Sequence, residues 1–169
     1  HRLDILAGVE ASKNTYRVNN IRGTGFSNST LKTPQDAAVV ESYYNESAYT
    51  FLSVLGRVNY DFDGKYLLSV TARRDGSSRF GRNKQWGLFP AVSLGYNISE
   101  EPFFDSIKET VNYLKLRASY GVSGNAEIGN YAYVSTYSQA NYNGASGITL
   151  ANIGDDELGW ESALQTNIG

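Results

Sequence analysis

Leu52-Ser53-Val54-Leu55-Gly56-Arg57-Val58-Asn59-Tyr60-Asp61-Phe62, then Asp63-Gly64, then Lys65-Tyr66-Leu67-Leu68-Ser69-Val70-Thr71-Ala72-Arg73, is the stretch that decides the fold. In its first half Leu52, Val54, Gly56, Val58, Tyr60 and Phe62 fall on one side, and Ser53, Leu55, Arg57, Asn59 and Asp61 on the other. Successive side chains of a strand point to opposite faces, so this period of two marks a strand with one apolar and one polar face. Asp-Gly is a favoured two-residue hairpin turn, and it makes the second half an antiparallel return strand. That strand puts Tyr66, Leu68, Val70 and Ala72 on the apolar side, against Leu67, Ser69, Thr71 and Arg73.

The same alternation recurs outward from this hairpin. Trp86, Leu88, Pro90, Val92, Leu94, Tyr96 and Ile98 share a face, opposite Gly87, Phe89, Ala91, Ser93, Gly95 and Asn97, with Phe89 the misfit. Leu114, Leu116, Ala118 and Tyr120 oppose Tyr113, Lys115, Arg117 and Ser119, and near the start Leu3, Ile5, Ala7 and Val9 oppose Arg2, Asp4, Gly8 and Glu10. A weaker strand runs from Trp160 to Ile168, which makes six. Between them the connections fall at about 12–48, 63–64, 75–85, 99–112 and 122–158, so the longer polar ones gather at one end, with 99–112 the exception, long for a connection at the short-turn end. Ser99-Glu100-Glu101-Pro102 reads as the start of a short helix through about Thr110. Residues 132–137 are placed within one long loop, because a further strand there would break the up-down parity of the strand after it.

Composition agrees with strands and turns: 13 Tyr, 7 Phe, 2 Trp and 17 Gly in 169 residues, with no Cys and no Met. The sequence opens on His1 without a Met or a signal segment, so both ends are expected to be cut ends. With no cysteine and a single histidine, most metal and acid–base chemistry is removed, and neither a metal site, a cofactor nor a catalytic residue is expected. A net charge of -2 argues against a nucleic-acid partner. No apolar run reaches the roughly 18 residues of a membrane-spanning helix, which leaves strand-built membrane walls open.

Two solvents fit this alternation, lipid around a barrel wall or the shared core of a soluble β-sandwich. The aromatics favour lipid. On the apolar face Tyr60, Phe62, Tyr66 and Tyr96 lie toward the short turn, and Trp86, Tyr120 and Trp160 toward the long loops. Ten residues separate Trp86 from Tyr96, about 33 Å of strand, which a tilt of about 40° projects to about 25 Å, the height of a barrel's lipid-facing band. The opposite face carries Arg57, Asn59, Asp61, Arg73, Lys115 and Arg117, too much charge for a core and suited to a wet lumen.

Local motifs have structural explanations. Asp75-Gly76-Ser77-Ser78-Arg79 reads as a Gly turn whose Arg locks strand ends rather than as a ligand loop, Asp155-Asp156-Glu157 as a solvated loop rather than a calcium site, and Glu100-Glu101 as helix-start acids rather than a catalytic pair. Asn28-Ser29-Thr30, Asn45-Glu46-Ser47 and Asn97-Ile98-Ser99 match the glycosylation pattern by chance in a chain rich in Asn and Ser. Tyr131, Tyr133, Tyr137 and Tyr142 in the longest loop fit stacking on a ligand or a lid equally with packing at a barrel rim.

Several of these blocks, in order, resemble the TonB-dependent transporters of the SusC/RagA type. They are Arg57-Val58-Asn59-Tyr60, Lys65-Tyr66-Leu67-Leu68, the run from Arg73 to Gly81, Trp86-Gly87-Leu88-Phe89-Pro90-Ala91-Val92-Ser93, Ile98-Ser99-Glu100-Glu101-Pro102-Phe103, Leu114-Lys115-Leu116-Arg117-Ala118-Ser119-Tyr120-Gly121, Gly124-Asn125, Leu158-Gly159-Trp160-Glu161 and Asn167-Ile168-Gly169. They cover residues 50–169. The resemblance implies an all-β, antiparallel transmembrane barrel of about 22 strands, of which residues 1–169 would be about six, with plug and N-terminal regions lying elsewhere. It also implies active import of oligosaccharides or peptides across a bacterial outer membrane, with a SusD-type surface lipoprotein, TonB and membrane lipid as partners. The alternative is a secreted β-sandwich binding module.

Overall fold

A computed structural model describes residues 1–30 and 33–169. Among the described residues eight strands form: β1 (Arg2–Thr24), β2 (Val39–Phe62), β3 (Tyr66–Ser77), β4 (Trp86–Asn97), β5 (Lys115–Asn125), β6 (Thr136–Tyr142), β7 (Ala145–Asn152) and β8 (Glu161–Ile168). Six make one sheet in the order β1-β2-β3-β4-β5-β8, while β6 and β7 pair only with each other. The main pairings are antiparallel, between sequential neighbours from β2 to β5 and then from β5 to β8.

The hairpin read from the sequence is present. Asp63 and Gly64 both take positive φ (52° and 68°), as a type I′ turn demands, and Phe62 faces Tyr66 across it. Cross-strand partners share a face, so the register aligns the apolar positions into rows. Val58 meets Val70, Val70 meets Val92, and Val92 meets Tyr120; the neighbouring row is Tyr60, Leu68, Leu94 and Ala118. Nothing among the described residues covers this face. Val92 remains 37% exposed and Leu94 56%, and Leu68, Val70 and Leu116 are exposed as well. A sandwich would bury all five, so the soluble alternative loses its core.

The structure corrects the sequence reading in several places. The connection expected at 12–48 is mostly strand, because β1 runs on to Thr24 and β2 starts at Val39. Within Lys13–Tyr49, which forms a compact unit of its own, polar pairs hold the strands: Arg17 bonds Glu46 at 3.0 Å, and Tyr44 donates to the same carboxylate. These long polar strands lack apolar alternation, which is why the period of two hid them. Leu31 and Lys32 lie outside the described residues. The helix expected from Ser99 is two 3-10 segments, Ile98–Glu100 and Pro102–Ile107, broken at Glu101. The 122–158 connection contains the β6–β7 hairpin, turned at Asn143 and Gly144, both at positive φ. Because that hairpin is self-paired, the up-down parity of β5 and β8 survives.

Pro90 marks where β4 and β5 part. Their register runs from Asn97 opposite Lys115 to Ala91 opposite Gly121 and stops one residue short of Pro90, which has no N–H to continue a ladder. β5 nevertheless continues to Asn125, paired with β8.

Candidate functional site: the polar face and the long-loop end

The polar face is built from the residues opposite the apolar rows. Near the Asp63-Gly64 turn it holds a trough of about 710 Å³ whose lining includes Arg2, Asp4, Asn59, Asp61, Lys115 and Arg117. Of the sequence-expected lumen residues, Asn59, Lys115 and Arg117 therefore come together. Asn59 accepts from the Ser69 hydroxyl at 2.7 Å and Asp61 from the Gly64 amide at 2.7 Å, while Arg2 pairs with Asp4 at 3.1 Å. Among the described residues neither Lys115 nor Arg117 has an ion-pair partner within 4.0 Å, so both cations stand unpaired in the trough, which also holds the Asp61 carboxylate.

Arg57 and Arg73 stand higher on the same face. Arg57 donates to the Thr71 hydroxyl opposite it at 3.3 Å. Arg73 is a hub: it reaches Asp75 at 2.6 Å, Glu10 at 3.1 Å and the buried hydroxyl of Ser53 at 3.1 Å. Two carboxylates around one guanidinium make this a structural clasp of β1, β2 and β3, more than a free cation for a ligand. Of its partners, Glu10 and Ser53 were legible only as polar-face positions in the alternation, and Asp75 stood in the Asp75–Arg79 run that the sequence presents as a turn.

Phe89 ceases to be a misfit at the long-loop end. Its ring lies on the polar side, over two glycines: a Cβ on Gly87 would come within 2.5 Å of it, and one on Gly124 within 2.2 Å. Trp160 meets that ring edge-on at 5.1 Å, packs on the fully buried Phe80 at 4.7 Å and donates its indole N–H to the Gln85 carbonyl at 2.9 Å. Trp160 was expected in the outer aromatic band. It belongs instead to this inner cluster, because it precedes β8 and its chain is steered by the loop before it. Trp86 does stand on the outer side, with the Arg74 guanidinium 4.9 Å above its ring.

Around that cluster two loops are stitched together. The Gly81 amide donates to the Leu158 carbonyl at 2.8 Å, and Asn83 donates to Glu157 at 2.6 Å. Lys84 pairs with Glu157 at 3.4 Å, and Arg79 reaches Asn130 and the Ala126 carbonyl. The Asn83 hydrogen bond first, and Lys84 after it, hold the Glu157 carboxyl below the usual range. Asp155 accepts from the Glu157 amide at 2.8 Å, so the acidic run is a braced turn, and the Arg79 lock joins loop to loop. No group of metal-holding residues occurs among the described residues.

The four loop tyrosines do not share a surface. Tyr137 lies opposite Leu150 on one face of the β6–β7 hairpin, and Tyr142, an odd number of residues on, lies on the other. Tyr131 sits before the hairpin at a φ of 63°. Tyr133 is half-buried.

Comparison with known proteins fits this architecture. The family model described as TonB dependent receptor-like, beta-barrel matches residues 2–169. The chain belongs to the TonB-dependent receptor β-barrel family. TonB-dependent receptor P39 of Formosa agariphila is 36% identical over 176 residues, covering 100% of this chain and 17% of the relative. TonB-dependent receptor SusC of Bacteroides thetaiotaomicron is 36% identical over 135 residues, covering 79% of this chain and 13% of the relative. Among solved structures, the RagAB peptide importer in its closed-closed state superimposes with a TM-score of 0.74 at 30% identity, over 98% of this chain and 19% of that one. The chain thus spans less than a fifth of the relatives it matches. The six-stranded sheet is an antiparallel segment of a SusC/RagA-type barrel wall, and these strands alone do not close it.

Proposed function

We propose that the chain is part of the wall of a TonB-dependent active importer that carries oligosaccharides or peptides across a bacterial outer membrane. The observation that carries this reading is the two-faced sheet: apolar rows left open on one side, and a charged trough on the other. In a barrel the first side meets lipid and the second meets the lumen. Arg57, Asn59, Arg73, Lys115 and Arg117 are then lumen-facing. The stitched loops, with Tyr131, Tyr133, Tyr137 and Tyr142, form part of the outer mouth, where ligand or a SusD-type lipoprotein lid would meet them. Energy would come from TonB through parts of the protein outside this sequence. One similar solved structure is a peptide importer, which supports the peptide class, while the oligosaccharide class rests on the SusC/RagA resemblance.

The test uses the whole transporter in its own host. Deleting its gene should abolish growth on one nutrient class, glycan or peptide, and a surface lipoprotein should co-purify with the intact barrel. Unchanged uptake of both classes would remove the importer reading. A second experiment reads the mouth: Tyr137→Ala and Tyr142→Ala separately, with uptake and lipoprotein capture measured, should identify which hairpin face is used.

A further inference from the structure

We infer that residues 102–111, between β4 and β5, form a membrane-surface foot that dips into zwitterionic phospholipid on the short-turn side of the barrel; this rests on the apolar face being lipid-facing. The segment exposes large apolar side chains where a polar turn would suffice: Phe103 is 66% exposed, Ile107 49% and Val111 40%. Phe104 between them is buried, so the segment is anchored and not a loose loop.

Its direction is fixed by Glu101. That carboxylate accepts from the hydroxyls of Tyr66 at 2.9 Å and Tyr96 at 3.2 Å and pairs with Lys65 at 3.1 Å. Tyr66 and Tyr96 are cross-strand partners stacked at 5.0 Å, in the row of apolar-face positions. The foot therefore begins on the apolar side of the sheet, away from the polar trough. Its flanking strands β4 and β5 both lie inside the sheet, so no missing neighbouring strand is due to cover it. What adjoins that side is the continuation of the aromatic band, where amphipathic rings meet headgroups.

Charge selects the lipid. Within the segment Asp105 and Glu109 outnumber Lys108, which is itself paired with Asp105 at 2.8 Å, so an anionic surface would repel the segment and a zwitterionic one would not.

The test is spin-label accessibility in the whole transporter, reconstituted in phosphatidylcholine–phosphatidylethanolamine vesicles. Single-cysteine variants would be F103C, I107C and V111C, with S106C and E109C as the polar comparison. V92C and S93C report the two faces of the wall. Oxygen should relax labels at 103, 107 and 111 several-fold more, relative to a water-soluble nickel chelate, than labels at 106 and 109. Equal accessibility at all five positions, with Val92 still oxygen-rich, would overturn the foot alone. A Val92 label no richer in oxygen than Ser93 would overturn the lipid-facing reading beneath it. Should F103C not assemble, Phe103→Trp with brominated lipid reads the same depth as the quenching gained over the unsubstituted transporter.

Discussion

Gly81 shows how much one residue can decide at the long-loop end. A Cβ there would sit 2.1 Å from the Asp156 carbonyl oxygen, which belongs to backbone and cannot swing aside. Gly81→Ala should force the two stitched loops apart at a cost of about 1–3 kcal/mol, read as faster proteolysis or amide exchange around 78–85 and 155–160. Gly129, with nothing within 4 Å of a built Cβ, should accept alanine with no such change. Glu101 offers a pH-dependent counterpart. Lys65 first and Tyr66 second hold its carboxyl below the ordinary range, so its stabilisation is complete above the unfolded value near ~4.3 and fades as pH falls through the depressed folded value. Thermal unfolding of the assembled barrel in detergent should lose stability below about pH 4 in the wild type, and Glu101→Gln should flatten that acid limb while lowering stability at neutral pH. A curve unchanged by the substitution would remove the role assigned to Glu101. Little of this residue-level detail was legible beforehand: Glu101 and Gly81 stood in recognisable blocks, yet Tyr66 and Asp156, which they meet, lie 35 or more positions away in sequence.

Strands were far more readable than their ends. Wherever one face is apolar and the other polar, as in β2 from Leu52 onward, β3 and β4, the alternation gave the facing that the structure adopts, since a slip by one residue would turn every side chain over; the register itself, with Phe62 opposite Tyr66, came only with the structure. It failed on the distal parts of β1 and β2, where apolar residues such as Val39, Val40, Tyr43 and Tyr44 mix with polar ones on both faces, and on β6 and β7, where Asn, Ser and Gly imitate loop composition. Trp160 went to the wrong side because alternation was extended one position beyond β8, which starts at Glu161. The assigned facing of the well-read strands is testable. Arginine at Val70 or Val92, near the middle of the apolar band, should cost about 2–4 kcal/mol and impair barrel assembly, whereas arginine at Thr71 or Ser93 should cost far less. Equal tolerance at the four positions, scored by heat-modifiable migration of the assembled transporter, would refute the facing.

For the molecule as a whole, the decisive fact is that the sheet has two free edges, β1 and β8, and an uncovered apolar face. In lipid each unpaired backbone group costs several kcal/mol, and in water the exposed apolar rows invite association. Residues 1–169 expressed alone should give no cooperative, monomeric unfolding transition in buffer, and circular dichroism should show strand content that depends on detergent. A sharp two-state transition of a monomer in buffer would contradict the wall-segment architecture.

The self-paired β6–β7 hairpin has a practical consequence. Since it borrows no hydrogen bonds from the six-stranded sheet and reverses at Asn143-Gly144, its length is uncoupled from strand count and register around it. Relatives are free to lengthen, shorten or discard such a finger without re-engineering the wall, and the same freedom makes this turn a graft point. A foreign segment spliced there should leave the pairing of β5 with β8 as it is, because neither strand takes a ladder bond from the finger.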